Sequence, residues 1–192
     1  MDIFLVDTNP EIIKAWNLCF DGEKNVYIFH GEIETFLDNY PVDCVVSPAN
    51  SFGIMDGGFD AALTDYFGYE LQNNVRKYIS ENFFGEQPVG TSFITDTPKD
   101  GIRIIHTPTM RVPERIIDPS VVYHCTRSTL ICAENNSIGS IVIPAFGGST
   151  GGVNPEILAK MMWLAVKQVR NPVENPNWEY ALDSHFRNIK WF

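Results

Sequence analysis

Asn50 and Asp60, ten residues apart, combine types that can do chemistry on a sugar. An Asn side chain donates and accepts at once, which suits a sugar hydroxyl. An ionised Asp is an acceptor and a candidate general base. Between them, Gly57-Gly58 lets the backbone approach a ligand closely. Both residues also have ordinary readings. An Asn after a strand commonly makes a turn, and an Asp before a helix commonly caps it. A second stretch of the same kind runs Phe146-Gly147-Gly148-Ser149-Thr150-Gly151-Gly152-Val153 and leads into a helix start at Asn154-Pro155-Glu156. Strand, glycine loop and helix N-terminus together offer main-chain N–H groups and a favourable dipole to an anion. The loop lacks the Gly-Lys-Ser/Thr end of a Walker loop and is no G-x-G-x-x-G fingerprint. Arg111 could meet a phosphate or carboxylate with its planar fork, or form a surface ion pair. His106, alone at a strand end, reads as a packed or hydrogen-bonded residue. No His, Cys and Asp cluster has metal-ligand spacing, so neither a metal nor a cofactor is expected.

The elements around these residues place them at one edge of a sheet. Val42, Cys44, Val45 and Val46 form an apolar run typical of a strand buried on both faces, stopped at Ser47-Pro48. A glycine-broken loop follows, Ala49 to Gly58. A long helix then runs from Asp60 to about Asn82, with Leu63, Phe67, Leu71, Val75 and Ile79 as its core stripe and Gly68 as a break or bend. Asn50 therefore sits at a strand's carboxyl end, where α/β sheets bind ligands. Upstream, a strand over 2–7 precedes a helix capped by Asn9-Pro10-Glu11, and a strand over 26–30 precedes a helix over 33–40. Strands over 89–95 and 102–107 flank a turn at 98–101 and are expected to pair. The loop 107–117 leads to a helix over 118–135. Ser140 to Ala145 reads as the central strand, and the last amphipathic helix ends at Arg170. Beyond Pro172 the tail lacks a strand pattern and carries Phe186, Trp191 and Phe192. It reads as a terminal helix packed on the domain or as a partner contact.

The stretch PANSFGIMDGGFDAAL resembles the signature loop of macro domains, the ADP-ribose-binding α/β/α modules. The last Asn of the family's NAAN-type motif falls on Asn50, and the Asp of its hydrolase branch falls on Asp60. IIHTPTM at 104–110 and IVIPAFGGSTGGV at 141–153 are similar to the family's later strand and its phosphate loop. Gly31-Glu32-Ile33 looks like the family's Gly-Asp-Ile run, whose acid binds adenine. Ser47 stands where the motif has its first Asn, and Met55-Asp56 replaces two glycines of the glycine run. The variant motifs look closest to a bacterial and phage branch.

The resemblance implies a three-layer α/β/α fold with a mixed central sheet, as one domain over 1–192 with its core at about 24–170 and a tail at 172–192. It implies a hydrolase of ADP-ribosyl or O-acyl-ADP-ribose linkages with Asn50 and Asp60 as the catalytic pair. Glu32, Ala49, Ser51, Gly57, Gly58, Phe146, Gly147, Gly148, Ser149, Thr150, Gly151, Gly152 and Val153 would contact the ligand. The alternatives are a non-catalytic reader of ADP-ribose and an ADP-ribose-1″-phosphate phosphatase. The expected partner is an ADP-ribose-type small molecule or an ADP-ribosylated macromolecule.

Composition sets bounds. With 192 residues and 44% hydrophobic content the chain suits one domain with a real core. Its net charge of −10 argues against nonspecific binding to nucleic acid or anionic membranes. It does not forbid a nucleotide held by N–H groups. No apolar run approaches a membrane span, and MDIFLVDTNP carries acid where a signal peptide needs base. A cytoplasmic protein is the expectation. Cys19, Cys44, Cys125 and Cys132 read as small buried hydrophobes.

Overall fold

The computed structural model describes residues 1–99 and 101–189. Trp191, Phe192 and the side chain of Phe186 lie outside the described residues. The chain opens with β1 (Asp2–Asp7), α1 (Pro10–Cys19), β2 (Val26–His30) and α2 (Ile33–Asn39). Next come β3 (Cys44–Ser47), α3 (Gly58–Phe67), α4 (Glu70–Phe83), β4 (Phe93–Asp96) and β5 (Arg103–His106). It closes with α5 (Ser120–Asn135), β6 (Ser140–Ile143), α6 (Pro155–Arg170) and α7 (Trp178–Ile189).

The strands form one sheet in the order β2-β1-β6-β3-β5-β4. All neighbours are parallel except β4, which runs antiparallel to β5. Side chains alternate between two cores, as the period of two in a strand requires. Ile3, Leu5, Cys44, Val46, Ile105, Ile141 and Ile143 face a core shared with α1, α5 and α6. Val6, Val45, Ile104 and Val142 face the other, under α2, α3 and α4. The result is a three-layer α/β/α fold with a mixed sheet. The parallel strands deliver Asp7, Ser47, His106 and Ile143 to one edge. There β1 leads away towards β2, while β3 leads towards β5. Such a reversal of winding opens a crevice at the strand ends.

Three elements differ from the sequence expectation. The long helix is two helices, because Gly68 takes φ 95°, a conformation that favours glycine. The strand expected over 89–95 begins at Phe93. Residues 88–91 instead form a turn in which Thr91 N–H donates to Pro88 O and Gly90 N–H to Pro108 O. The strand expected to reach Ala145 ends at Ile143, before Pro144, which has no N–H to give.

The lower end of the sheet is pinned by Asp43. Its Oδ2 accepts from Gly139 N–H at 2.9 Å and Ser140 N–H at 2.8 Å, while its own N–H donates to Ser140 Oγ at 2.9 Å. Asp43→Ala is expected to lower stability by about 1 kcal/mol, the usual worth of such bonds. A urea denaturation midpoint reads this directly.

Candidate functional site

A cleft of about 310 Å³ opens at the strand ends, between the Asn50–Asp60 loop and the glycine loop. It meets Asp7 from β1, Pro144 and Ala145 after β6, Ala49 and Asn50 after β3, and Thr109 and Met110 after β5. Gly57, Gly58, Phe59 and Asp60 enter from the start of α3, and Gly147, Ser149, Thr150 and Gly151 from the glycine loop.

Asp60 is not a cap. Gly57 holds the cap position, and Asp60 points inward from the first turn of α3 with 8% exposure. The Ser47 hydroxyl donates to Asp60 Oδ1 at 2.7 Å. No other hydrogen bond reaches this carboxyl among the described residues, so Oδ2 is left for the cleft. Burial pushes the carboxyl pKa up to about 7, and the Ser47 bond opposes that rise. The group is thus poised to exchange a proton near neutral pH.

Asn50 takes the turn role that its position allows. Its Nδ2 donates to Ile54 O at 2.7 Å, and its Oδ1 accepts from Phe52 N–H at 3.1 Å and Ile54 N–H at 3.3 Å. It lines the cleft while holding its own loop together. Ser51 is buried, its N–H directed at Met110 O and its carbonyl accepting from Gln87 N–H. Gln87 in turn bonds buried His106: Oε1 to Nδ1 at 2.6 Å, Nε2 to its carbonyl at 3.3 Å. Because Gln87 Nε2 points at carbonyls, Oε1 is the acceptor and His106 carries its proton on Nδ1. Burial pushes the His106 pKa down to about 3, so it braces the loop as a neutral ring.

Of the two anion-binding features expected here, the glycine loop keeps N–H groups that meet no carbonyl among the described residues, and the helix N-terminus behind it does not. The N-terminus of α6 is closed: Asn154 Oδ1 accepts from Glu156 N–H and Ile157 N–H, and Pro155 has no N–H. In the glycine loop itself, the N–H groups of Ser149, Thr150 and Gly151 meet no carbonyl among the described residues. The first turn of α3 has no side-chain cap, so its N–H groups and positive dipole end also open on the cleft. No Lys, Arg or His among the described residues lines the cleft, whereas Asp7, Asp56 and Asp60 do.

Among the residues singled out from sequence, Ala49, Asn50, Gly57, Gly58, Asp60, Gly147, Ser149, Thr150 and Gly151 meet in the cleft. Phe146 and Val153 are buried beneath the loop. Gly148 packs inward; a Cβ there would stand 2.8 Å from Ile12 Cδ1. Gly152 is exposed against Arg115. Glu32 is exposed at the cap position of α2 and does not line the cleft. Arg111 forms a bidentate pair with Glu86 at 2.7 and 3.0 Å and lies over the Phe52 ring. Asp7 was missed: its place at the carboxyl end of a strand was legible, but the strand order that brings it to the cleft was not. Its Oδ1 accepts from Asn9 N–H at 2.8 Å, and burial raises its pKa.

The family model for the Macro domain matches residues 46–162, from β3 into α6. An uncharacterized protein of Aquifex aeolicus (strain VF5) is 31% identical over 129 residues, covering 67% of this chain and 73% of its own. An uncharacterized protein of Aeropyrum pernix is 28% identical over 159 residues, covering 82% and 77%. Among solved structures, the Mycobacterium tuberculosis DarG macrodomain superposes with TM-score 0.58 at 21% identity, covering 68% of this chain and 85% of that one. The Oceanobacillus iheyensis macrodomain solved with ADP gives 0.60 at 19% identity, covering 84% and 87%. The chain belongs to the macro domain family. No helix among the described residues is long and apolar enough to cross a membrane.

Proposed function

We propose that the cleft binds ADP-ribose or a derivative and that the protein hydrolyses an ADP-ribosyl or O-acyl-ADP-ribose linkage. The observation that carries this reading is the joint presence, in one cleft, of unpartnered N–H groups and a buried carboxyl. The N–H groups belong to Ser149, Thr150, Gly151 and the first turn of α3; the carboxyl is that of Asp60. A diphosphate held by those N–H groups needs no Lys or Arg. With the diphosphate fixed, the distal ribose reaches the Asn50 loop beside Asp60. Asp60 Oδ2 takes a proton from a water, and the water oxygen attacks the carbon of the scissile bond. The bond's electron pair leaves with the departing group. Remote binding thus orients the reacting end. The matching O. iheyensis macrodomain, solved with ADP and, in a mutant form, with ADPR, supports the ligand class.

At the other end of the cleft, Asp7 takes the place expected for Glu32. It offers an acceptor to the adenine amino group. Asp7→Asn, which puts a donor beside that amino group, is expected to weaken ADP-ribose binding about tenfold, roughly 1.4 kcal/mol. Glu32→Ala should leave the affinity within about twofold. Calorimetric titration of both variants decides between the two acids.

A reader without hydrolytic activity is the second reading. It is favoured by the Asn50 amide, which is engaged by its own loop. Incubation of the pure protein with ADP-ribosylated peptides and with O-acetyl-ADP-ribose tests both. Release of ADP-ribose supports the hydrolase; tight binding with no release supports the reader. Release of inorganic phosphate from ADP-ribose-1″-phosphate would instead mark a phosphatase.

A further inference from the structure

We infer that Ser47 is a positioning residue for Asp60: its hydroxyl fixes the carboxyl with Oδ1 held and Oδ2 presented to the cleft, so that proton exchange takes place at Oδ2. The inference rests on the proposed role of Asp60 and extends it to a residue at which the family motif has an Asn. Ser47 is fully buried at the end of β3, a strand paired on both sides. Its main chain is clamped by Thr107 N–H, which donates to Ser47 O at 3.0 Å. The hydroxyl therefore projects from a rigid point. Across the layer, it donates to Asp60 Oδ1 at 2.7 Å. This strand-to-helix bond is the one that orients Asp60, since Asp60 neither caps its helix nor meets a cation among the described residues.

Ser47 can donate to Oδ1 in both protonation states of the acid. In the anion it satisfies one oxygen. In the neutral acid it keeps Oδ1 as the carbonyl oxygen and leaves the proton on Oδ2. The other ionisable groups lining the cleft are Asp7 and Asp56, both acids, so no cation among the described residues competes for the role. An Asn at this position would offer an amide donor with a longer reach.

The test uses the full chain and three variants: Ser47→Ala, Ser47→Cys and Ser47→Thr. Two quantities are read. One is the pH dependence of turnover; the other is the Asp60 carboxyl titration followed by carbon NMR. Ser47→Ala should move the rising limb and the carboxyl titration to higher pH by about one unit, since a hydrogen bond to a charged group is worth about that much. Turnover at pH 7 should fall severalfold with KM within about twofold. Thr should restore wild-type values, and Cys, a weak donor of similar size, should fall between. If Ala does not fold, Cys carries the comparison with Thr. Unchanged titration and turnover in Ala and Cys would overturn the inference. A shifted titration in a protein that cleaves nothing would uphold Ser47 as the positioning group and overturn the hydrolase reading alone.

Discussion

Asp60→Asn is expected to abolish the proposed hydrolysis and, at the same time, to make the protein more stable at neutral and alkaline pH. Loss of a positioned proton acceptor costs on the order of 10²–10⁴ in rate. The stability effect follows from linkage. The folded-state pKa of Asp60, about 7, lies above the ordinary carboxylate value of 3.8. Between those values the folded state holds a proton that the unfolded chain has released. The associated stability is complete below about pH 4 and is lost as pH rises through 7. At about 1.4 kcal/mol per pH unit, up to about 4 kcal/mol is at stake. Asp7, whose pKa burial also raises, acts in the same sense.

His106 acts in the opposite sense. Its folded value, about 3, lies below the ordinary 6.5, so its contribution is complete above pH 6.5 and is lost as pH falls towards 3. Between about pH 4 and 6.5 the two slopes offset one another. The wild-type protein should therefore show a plateau there, with stability falling on both sides. In Asp60→Asn the alkaline fall should shrink and stability should keep rising up to about pH 6.5. Urea unfolding of both proteins at pH 4, 6 and 8 reads the effect. Equal stabilities at pH 8 would show that Asp60 is ionised there at no cost.

Gly151→Val is the second large effect. A Cβ at Gly151 would stand 2.7 Å from Gly147 O and 3.0 Å from Gly147 Cα, and 2.7 Å from Ile116 Cδ1. The Gly147 neighbours are main chain and cannot rotate away. The loop is also stapled, with Ile116 N–H donating to Gly151 O at 2.9 Å and Val153 N–H to Gly147 O at 3.1 Å. A side chain there must push the loop open and disperse the N–H groups of 149–151. Affinity for ADP-ribose should fall more than about tenfold, over roughly 1.4 kcal/mol, with about 1–3 kcal/mol of stability lost to overpacking. Retained affinity in this variant would place the diphosphate elsewhere.

Much of this cleft was legible because its walls follow local rules. The apolar run 42–46, its stop at Ser47-Pro48 and the glycines at 57–58 define strand, loop and helix without tertiary knowledge. The glycine loop at 147–152 was found in the same way. What could not be read depends on contacts between distant segments. Asp60 looks like a cap in sequence, and only the packing of α3 beneath the strand end turns its side chain inward to Ser47. Asp7 reaches the cleft because β1 inserts between β2 and β6, a strand order that no local pattern encodes. Glu32 lies outside the cleft lining for the same reason, since β2 is at the sheet's edge. The α6 N-terminus looked open as an anion site. Asn154 was already marked as its cap, and a filled cap has no N–H groups to spare.

The most direct test of the central reading is calorimetric titration of ADP-ribose into the wild-type protein and into Gly151→Val. Micromolar binding to the wild type that is lost in the variant is the predicted result, and it would place the ligand on the N–H groups of the glycine loop. No heat with the wild type, or equal affinity in the two proteins, would contradict the account.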